Sequence, residues 1–297
     1  MKYFLFFCLT ITSCIDTTKT LPSSTGKNSE LIFVIDDALW TNSVALLSKK
    51  VFSTEIIGIN QREPLFNTIQ VNSKEFKSIL KTHKNIIIIS EGVQNSFHNN
   101  KWSSGQFVAQ INWESDTIKL HKEFIKLRSY FVKKELKSIR RSLIGLSQKK
   151  NEQIILKNFG VQCIIPSEYR VIKSDSSLFW ANYNSTKSDE IKNIIVFSFS
   201  PKTKNTQQEI LLRTDSVFKK YLIGQKEGTF ARIEPQITPY HFNNTYRGLW
   251  KLENGFMGGP FIIKTYSKNN KTVVNIGMVF APQNSKRKYI KEFEAIL

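Results

Sequence analysis

The sequence predicts an α+β protein: two α/β sandwich domains with mixed or antiparallel sheets packed by helices. Three observations carry that prediction. Short β-branched apolar runs alternate with stretches of helical periodicity in the first half. The second half strings alternating strands between turn signals and closes on an amphipathic helix. A stretch around residues 145–158 lacks strong apolar patterning and separates the two. The length of 297 residues fits roughly two domains at about 150 residues each. With 22 Phe and 5 Trp, there is enough apolar volume for two cores. The expected division is 1–13 signal peptide, 14–30 lipidated tether, 31–147 N-terminal domain and 148–297 C-terminal domain.

The chain opens MKYFLFFCLTITSC. Lys2 precedes a short apolar run, and small residues precede Cys14. That pattern is a secretory signal ending in a lipoprotein cleavage site. The run is too short to span a bilayer, which needs roughly 20 residues. Cys14 is therefore the expected lipidation site, with two or more acyl chains forming a stable anchor. An ordinary signal peptide cut elsewhere is the alternative. Residues 15–30 are polar and read as a flexible tether. Gly26-Lys27 lacks the rest of a phosphate-binding loop, so that reading is rejected.

Leu31–Ile35 reads as a buried strand. Asp36-Asp37 then stands before a helix over 38–51, where helix N-capping competes with a metal or phosphoryl role and is preferred. A strand at 68–71, a helix over 74–81 and a central strand at 85–90 (NIIIIS) follow. His83 reads as a surface or capping residue. Residues 95–105 read as a polar loop and 106–113 as a strand. The longest helix, 117–147, sets Leu120, Phe124, Leu127 and Phe131 on one face and lysines on the other. A core-packing helix with a wet lysine face is preferred there over one lying on an anionic membrane.

The second half opens with strands at 159–165 and 170–173 around a Pro-Ser turn. Strands at 178–183 and 191–200, a helix over 207–221 and a loop over 222–240 come next. Strands at 245–252, 256–266 and 271–280 form a meander turned by Asn254-Gly255 and Asn269-Asn270. Residues 286–297 form a closing helix with Tyr289, Ile290, Phe293 and Ile296 inward. Gly258-Gly259-Pro260 is unusual inside a strand, because glycines there weaken it. One reading is a cleft floored by bare backbone, which makes Trp250, Phe256, Met257, Gly258, Gly259 and Phe261 the candidate binding surface. The other is a kink at a sheet edge with the aromatics in the core. On the first reading, Gly258→Val abolishes partner capture and leaves the melting temperature nearly unchanged.

The formal charge is +19, from 43 basic against 24 acidic residues, and only nine of the basic residues are Arg. A lysine surplus spread along the chain reads as a solvated surface. No nucleic-acid recognition motif is present, so no nucleic acid is expected as a partner. Four scattered histidines (His83, His98, His121, His241) have no metal spacing, and neither a metal nor a cofactor is expected. Cys163 lies in an apolar run and reads as a buried, inert thiol.

The stretches LPSSTGK, VIDDALW, EPLFN, THKNIIII, RGLWKLENGFMGGPF and FAPQNSKRKYIKEFEAIL together resemble the uncharacterised lipoproteins of the Bacteroidetes grouped as domain of unknown function 4837. The resemblance runs over essentially the whole mature chain. It implies a Gram-negative envelope lipoprotein and brings no catalytic residues with it. At the level of architecture, residues 159–297 are similar to the Mog1/PsbP-like α/β/α sandwich.

The function expected is that of a lipid-anchored cell-envelope protein, at the outer membrane facing the periplasm. It is expected to be a non-catalytic binding or assembly module. Its partners would be the membrane through the N-terminal lipid and another envelope protein or an anionic cell-wall polymer. The alternative is an envelope hydrolase using Asp36 or Asp37 with His83 or His241.

Overall fold

The structure, a computed structural model, describes residues 20–40, 42–202 and 206–297. The signal stretch, the proposed cleavage point and Cys14 lie outside the described residues. The fold is α+β, with two sheets and five α-helices among the described residues. The chain forms two compact units. Of the described residues, the first takes 20–27, Ile32–Asp36 and Gln70–Glu114, and the second takes Asn28–Leu31 and the described parts of 37–69 and 115–297.

A mixed five-stranded sheet belongs mainly to the first unit. Its strands are β1 (Glu30–Val34), β2 (Asn67–Val71), β3 (Asn85–Ser90), β4 (Ser96–Asn99) and β5 (Phe107–Asn112), in the order β2-β1-β3-β5-β4. β3 lies in the centre and runs parallel to both β1 and β5. A strand buried on both faces must be apolar throughout, and Ile86, Ile87 and Ile89 are fully buried. β4 is an antiparallel edge strand inside the stretch expected to be a loop. Its sequence, SFHN, carries no alternation that would mark it; Phe97 stacks on Phe107 across the pair. The helix expected over 74–81 is a single 3-10 turn, Ser78–Thr82. Ser78 has φ +45°, which interrupts any α-helix, and Phe76 instead packs edge-on against Trp102.

Part of the expected tether is docked. The backbone amides of Ser24 and Thr25 donate to the carbonyls of Ser104 and Thr82, and those of Ser104 and Lys84 donate to Pro22 and Thr25. Gly26, at φ +89°, lies against the ring of His83, leaving no room for a Cβ. His83 is buried beneath it, not at the surface as expected, and its Nδ1 lies 3.1 Å from the Asn85 carbonyl.

The second unit holds helices α1 (Asn42–Phe52), α2 (Thr117–Ile144), α3 (Lys149–Phe159), α4 (Thr206–Tyr221) and α5 (Arg287–Ile296). α1 begins five residues after Asp37, so neither Asp36 nor Asp37, both exposed, stands at its N-cap position. Asp116 caps α2, its carboxylate accepting from the amides of Ile118 and Lys119. The α2 stripe buries Leu120, Phe124, Leu127 and Phe131, with Phe52 of α1 edge-on to Phe124 at 5.3 Å.

Its antiparallel eight-stranded sheet comprises β6 (Arg170–Ser174), β7 (Leu178–Asn184), β8 (Ile191–Phe199), β9 (Phe230–Ile233), β10 (Tyr240–Phe242), β11 (Thr245–Glu253), β12 (Gly258–Lys268) and β13 (Lys271–Phe280). The path is β10-β11-β12-β13-β8-β7-β6, with β9 paired to β11. The two-residue period sends alternate side chains into two cores. Ile194, Val196 and Ile262 pack with Phe159 of α3 and with Phe293 and Ile296 of α5. Ile195, Phe197, Phe261 and Ile263 pack with Ile210 and Phe218 of α4.

Three more expectations fail in this unit. The stretch expected to be a loop over 222–240 contains β9 and the first residue of β10, β9 being too short to show a period. α3 occupies what read as a linker; it buries only Ile155 and Phe159 and stops at Gly160, φ +71°. Residues 161–165 are not a strand. Apart from exposed Gln162 their side chains are core, but the Ile164 amide donates to the Ile296 carbonyl rather than to a sheet ladder. Cys163 is buried there, and burial pushes its thiol pKa up to about 12.

Candidate functional site

The β11–β12 hairpin builds one wall of a cleft of about 620 Å³ in the second unit. Asn254 takes φ +55° in its turn, and the Leu252 amide donates to the Met257 carbonyl at 2.7 Å. Trp250 is buried beneath, its indole donating to the Val279 carbonyl at 3.1 Å. Phe256 projects from the tip, 91% exposed, with its ring centroid 6.4 Å from that of Phe280. The opposite wall comes from β7 and from the segment that follows α4, including Trp180, Tyr221 and Ile223. Asn193 fixes that wall by accepting from the Trp180 indole and the Asn182 amide, both at 2.9 Å.

The six residues singled out in the sequence divide. Trp250, Phe256 and Met257 line the cleft. Phe261 is fully buried, edge-on to Phe218, and belongs to the core. Gly258 and Gly259 are sites of close backbone approach. A Cβ on Gly258 would lie 2.8 Å from the Trp250 carbonyl oxygen, and one on Gly259 would overlap the Val279 carbonyl oxygen. Gly258→Val is therefore expected to lower the melting temperature, against the sequence-based expectation, because a carbonyl in a sheet ladder has little freedom to move.

A family model described as domain of unknown function (DUF4837) matches residues 147–297. The chain belongs to that family. The match covers the eight-stranded sheet, the cleft, α3, α4 and α5. It does not extend over the whole mature chain: residues 24–144 match a second model, domain of unknown function (DUF8532). No curated protein matches. Among solved structures, a crystal structure of CalU16 from Micromonospora echinospora is similar at 8% identity and a TM-score of 0.19. That alignment covers 41% of this chain and 73% of CalU16.

The second unit also holds charged clusters that sequence reasoning missed. Lys192 sits in the otherwise apolar strand β8. Its ammonium is 3.0 Å from Glu292, 3.5 Å from Glu168 and 3.8 Å from Glu190, and lies over the rings of Tyr183 and Tyr169. The Tyr289 hydroxyl donates to Glu190 at 2.6 Å. Burial raises the Glu292 pKa and outweighs the attraction of Lys192. The only sequence signal was a lysine at an inward strand position.

A second cluster joins Lys291 to Glu135 at 2.6 Å and to Ser29 at 2.8 Å, with Ser29 donating to Glu135 at 2.9 Å. All three are buried. Burial lowers the Lys291 pKa, and Glu135 opposes that shift. Each charged group is saturated by the others, which is the condition for a buried pair to persist. The residues lie far apart in sequence, so no spacing could have announced them.

The histidines named for a hydrolase are otherwise engaged. His83 is buried beneath Gly26, and His241 stacks on Tyr246 with ring centroids 4.2 Å apart. Among the described residues no group of three or more His, Cys, Asp or Glu is placed to hold a metal ion.

Proposed function

We propose that the protein is a non-catalytic binding module of the cell envelope, lipid-anchored through Cys14 at the outer membrane and facing the periplasm. The cleft beside the β11–β12 hairpin takes an apolar segment of an envelope partner. One observation carries the binding role: a phenylalanine left 91% exposed at the mouth of a largely apolar cleft. Exposed aromatics beside a preformed concavity are the usual anchors of recognition surfaces. The anchoring rests on the signal-like run ending at Cys14. Helices on both faces of one antiparallel sheet are compatible with the Mog1/PsbP-like likeness, and the lipoproteins of the Bacteroidetes remain the expected setting.

Two experiments test the two halves. Cys14→Ser is expected to release the protein from the membrane fraction and to abolish acylation seen by mass spectrometry; a firmly bound Cys14→Ser protein refutes the anchor. Phe256→Asp is expected to lose partners crosslinked in intact cells while melting like the wild type. Unchanged crosslinks would remove the cleft from the binding role.

A further inference from the structure

The second unit has another concavity, of about 770 Å³, lined from α2, β10, β11, β12 and α5 and by residues just after α1. It is a separate place from the hairpin cleft, and the two share no lining residue. Its walls are of two kinds. One is apolar: Phe242 is 63% exposed, Ile57 and Tyr240 are about half exposed, and Val132 and Leu136 of α2 complete the surface.

The other wall is cationic. Arg247 and Lys264 stand on neighbouring strands in the floor, and Arg128 and Lys133 stand on α2. Arg247 pairs with Glu294. Lys264 donates to the Glu294 carbonyl at 2.7 Å, and Arg140 donates to the Ala295 carbonyl at 2.7 Å, so both meet the negative end of α5. Lys264 has no carboxylate in ion-pair range, and Arg128 and Lys133 have none either, among the described residues. Of the two acidic lining groups, Glu294 is held by Arg247, and Glu55 lies 3.8 Å from Arg62. Burial, with Arg140 and Arg247 nearby, lowers the Lys264 pKa. Like charges gathered in a partly desolvated floor repel one another, and an incoming anion relieves that repulsion.

We propose that this groove binds a single-chain amphiphile with an anionic head, a carboxylate or a phosphate monoester. The head lies over Lys264 and Arg247, with Arg128 and Lys133 at the rim. The acyl chain runs along Ile57, Tyr240 and Phe242. A volume of this size falls within the range of small-molecule sites, which run from about 300 to 1,000 Å³. The proposal does not depend on the hairpin cleft or on a partner protein.

The test is titration calorimetry on the full chain carrying Cys14→Ser, with laurate, dodecyl phosphate, dodecanol and inorganic phosphate as probes below micellar concentrations. Laurate, dodecyl phosphate or both are expected to bind at least about tenfold more tightly than dodecanol or inorganic phosphate, since a charge-assisted contact of this kind is worth about that factor. The tighter of the two identifies the head group. Lys264→Met and the double substitution Arg128→Gln/Lys133→Gln on α2 are each expected to weaken binding about five- to tenfold. The α2 pair keeps the test open if Lys264→Met fails to fold. Phe242→Ser should weaken binding without moving the melting temperature, and Phe256→Asp should leave binding unchanged. Equal affinity for dodecanol, indifference to the α2 pair, or loss of binding with Phe256→Asp overturns the proposal.

Discussion

The two faces of the eight-stranded sheet are built from the same strands and end differently. On one, α3, α5 and residues 161–165 press Phe159, Phe293 and Ile296 against alternate strand residues, and Cys163 is sealed within. On the other, α4 is, among the described residues, the helix whose buried side chains join the core, and the hairpin cleft opens on that side. A pleated sheet offers apolar side chains on both faces, so any area a helix leaves bare becomes either a liability or a site. The difference locates the candidate site by where cover is missing rather than by special chemistry.

That comparison can be broken first from the face that α3 and α5 cover. Phe293 sits directly over Gly277. Phe293→Ala is expected to cost about 3–5 kcal/mol, the range for a buried phenylalanine, read from denaturant unfolding. A loss under about 1 kcal/mol would mean the helical cover is loose. Next comes the strand pair that borders the cleft: Gly259→Val should cost about 3 kcal/mol through overlap with the Val279 carbonyl. A smaller effect depends on pH. Because burial raises the pKa of Glu292 in the folded state, its contribution to stability is present below the unfolded value near 4.5. It is lost as pH rises through the folded value. Glu292→Gln, which mimics the protonated form, should therefore gain in melting temperature relative to the wild type as pH rises from 4 to 7. A difference that stays flat with pH would contradict the assignment. The smallest effect belongs to the open face, where Phe256→Ser should shift stability by less than about 0.5 kcal/mol.

The strands were the legible part of the fold. NIIIIS at 85–90, the meander over 245–280 and the closing helix lie close to where their patterns put them, because burial on one or both faces dictates those patterns. The failures have a common cause. β4 and α3 expose most of their residues, so only Ile155 and Phe159, one turn apart, mark α3 and nothing marks β4, and 161–165 is mostly apolar because it fills a core without joining a ladder. At the cleft, the NG turn and the paired glycines were visible. The roles of Gly258 and Gly259 were not, because they depend on carbonyls of Trp250 and Val279 brought in by neighbouring strands. The cationic groove was illegible for the same reason: Arg128, Arg247 and Lys264 meet only through the fold.

The docked segment that starts at Pro22 has a mechanical consequence. If the polypeptide is fastened to a bilayer at position 14, as proposed, the eight residue steps from there to Pro22 set the longest reach of the anchor. Fully stretched, those residues span about 28 Å. The first unit would then be leashed close to the lipid headgroups, with little freedom to wander. Whatever it meets must come to the membrane surface to be met.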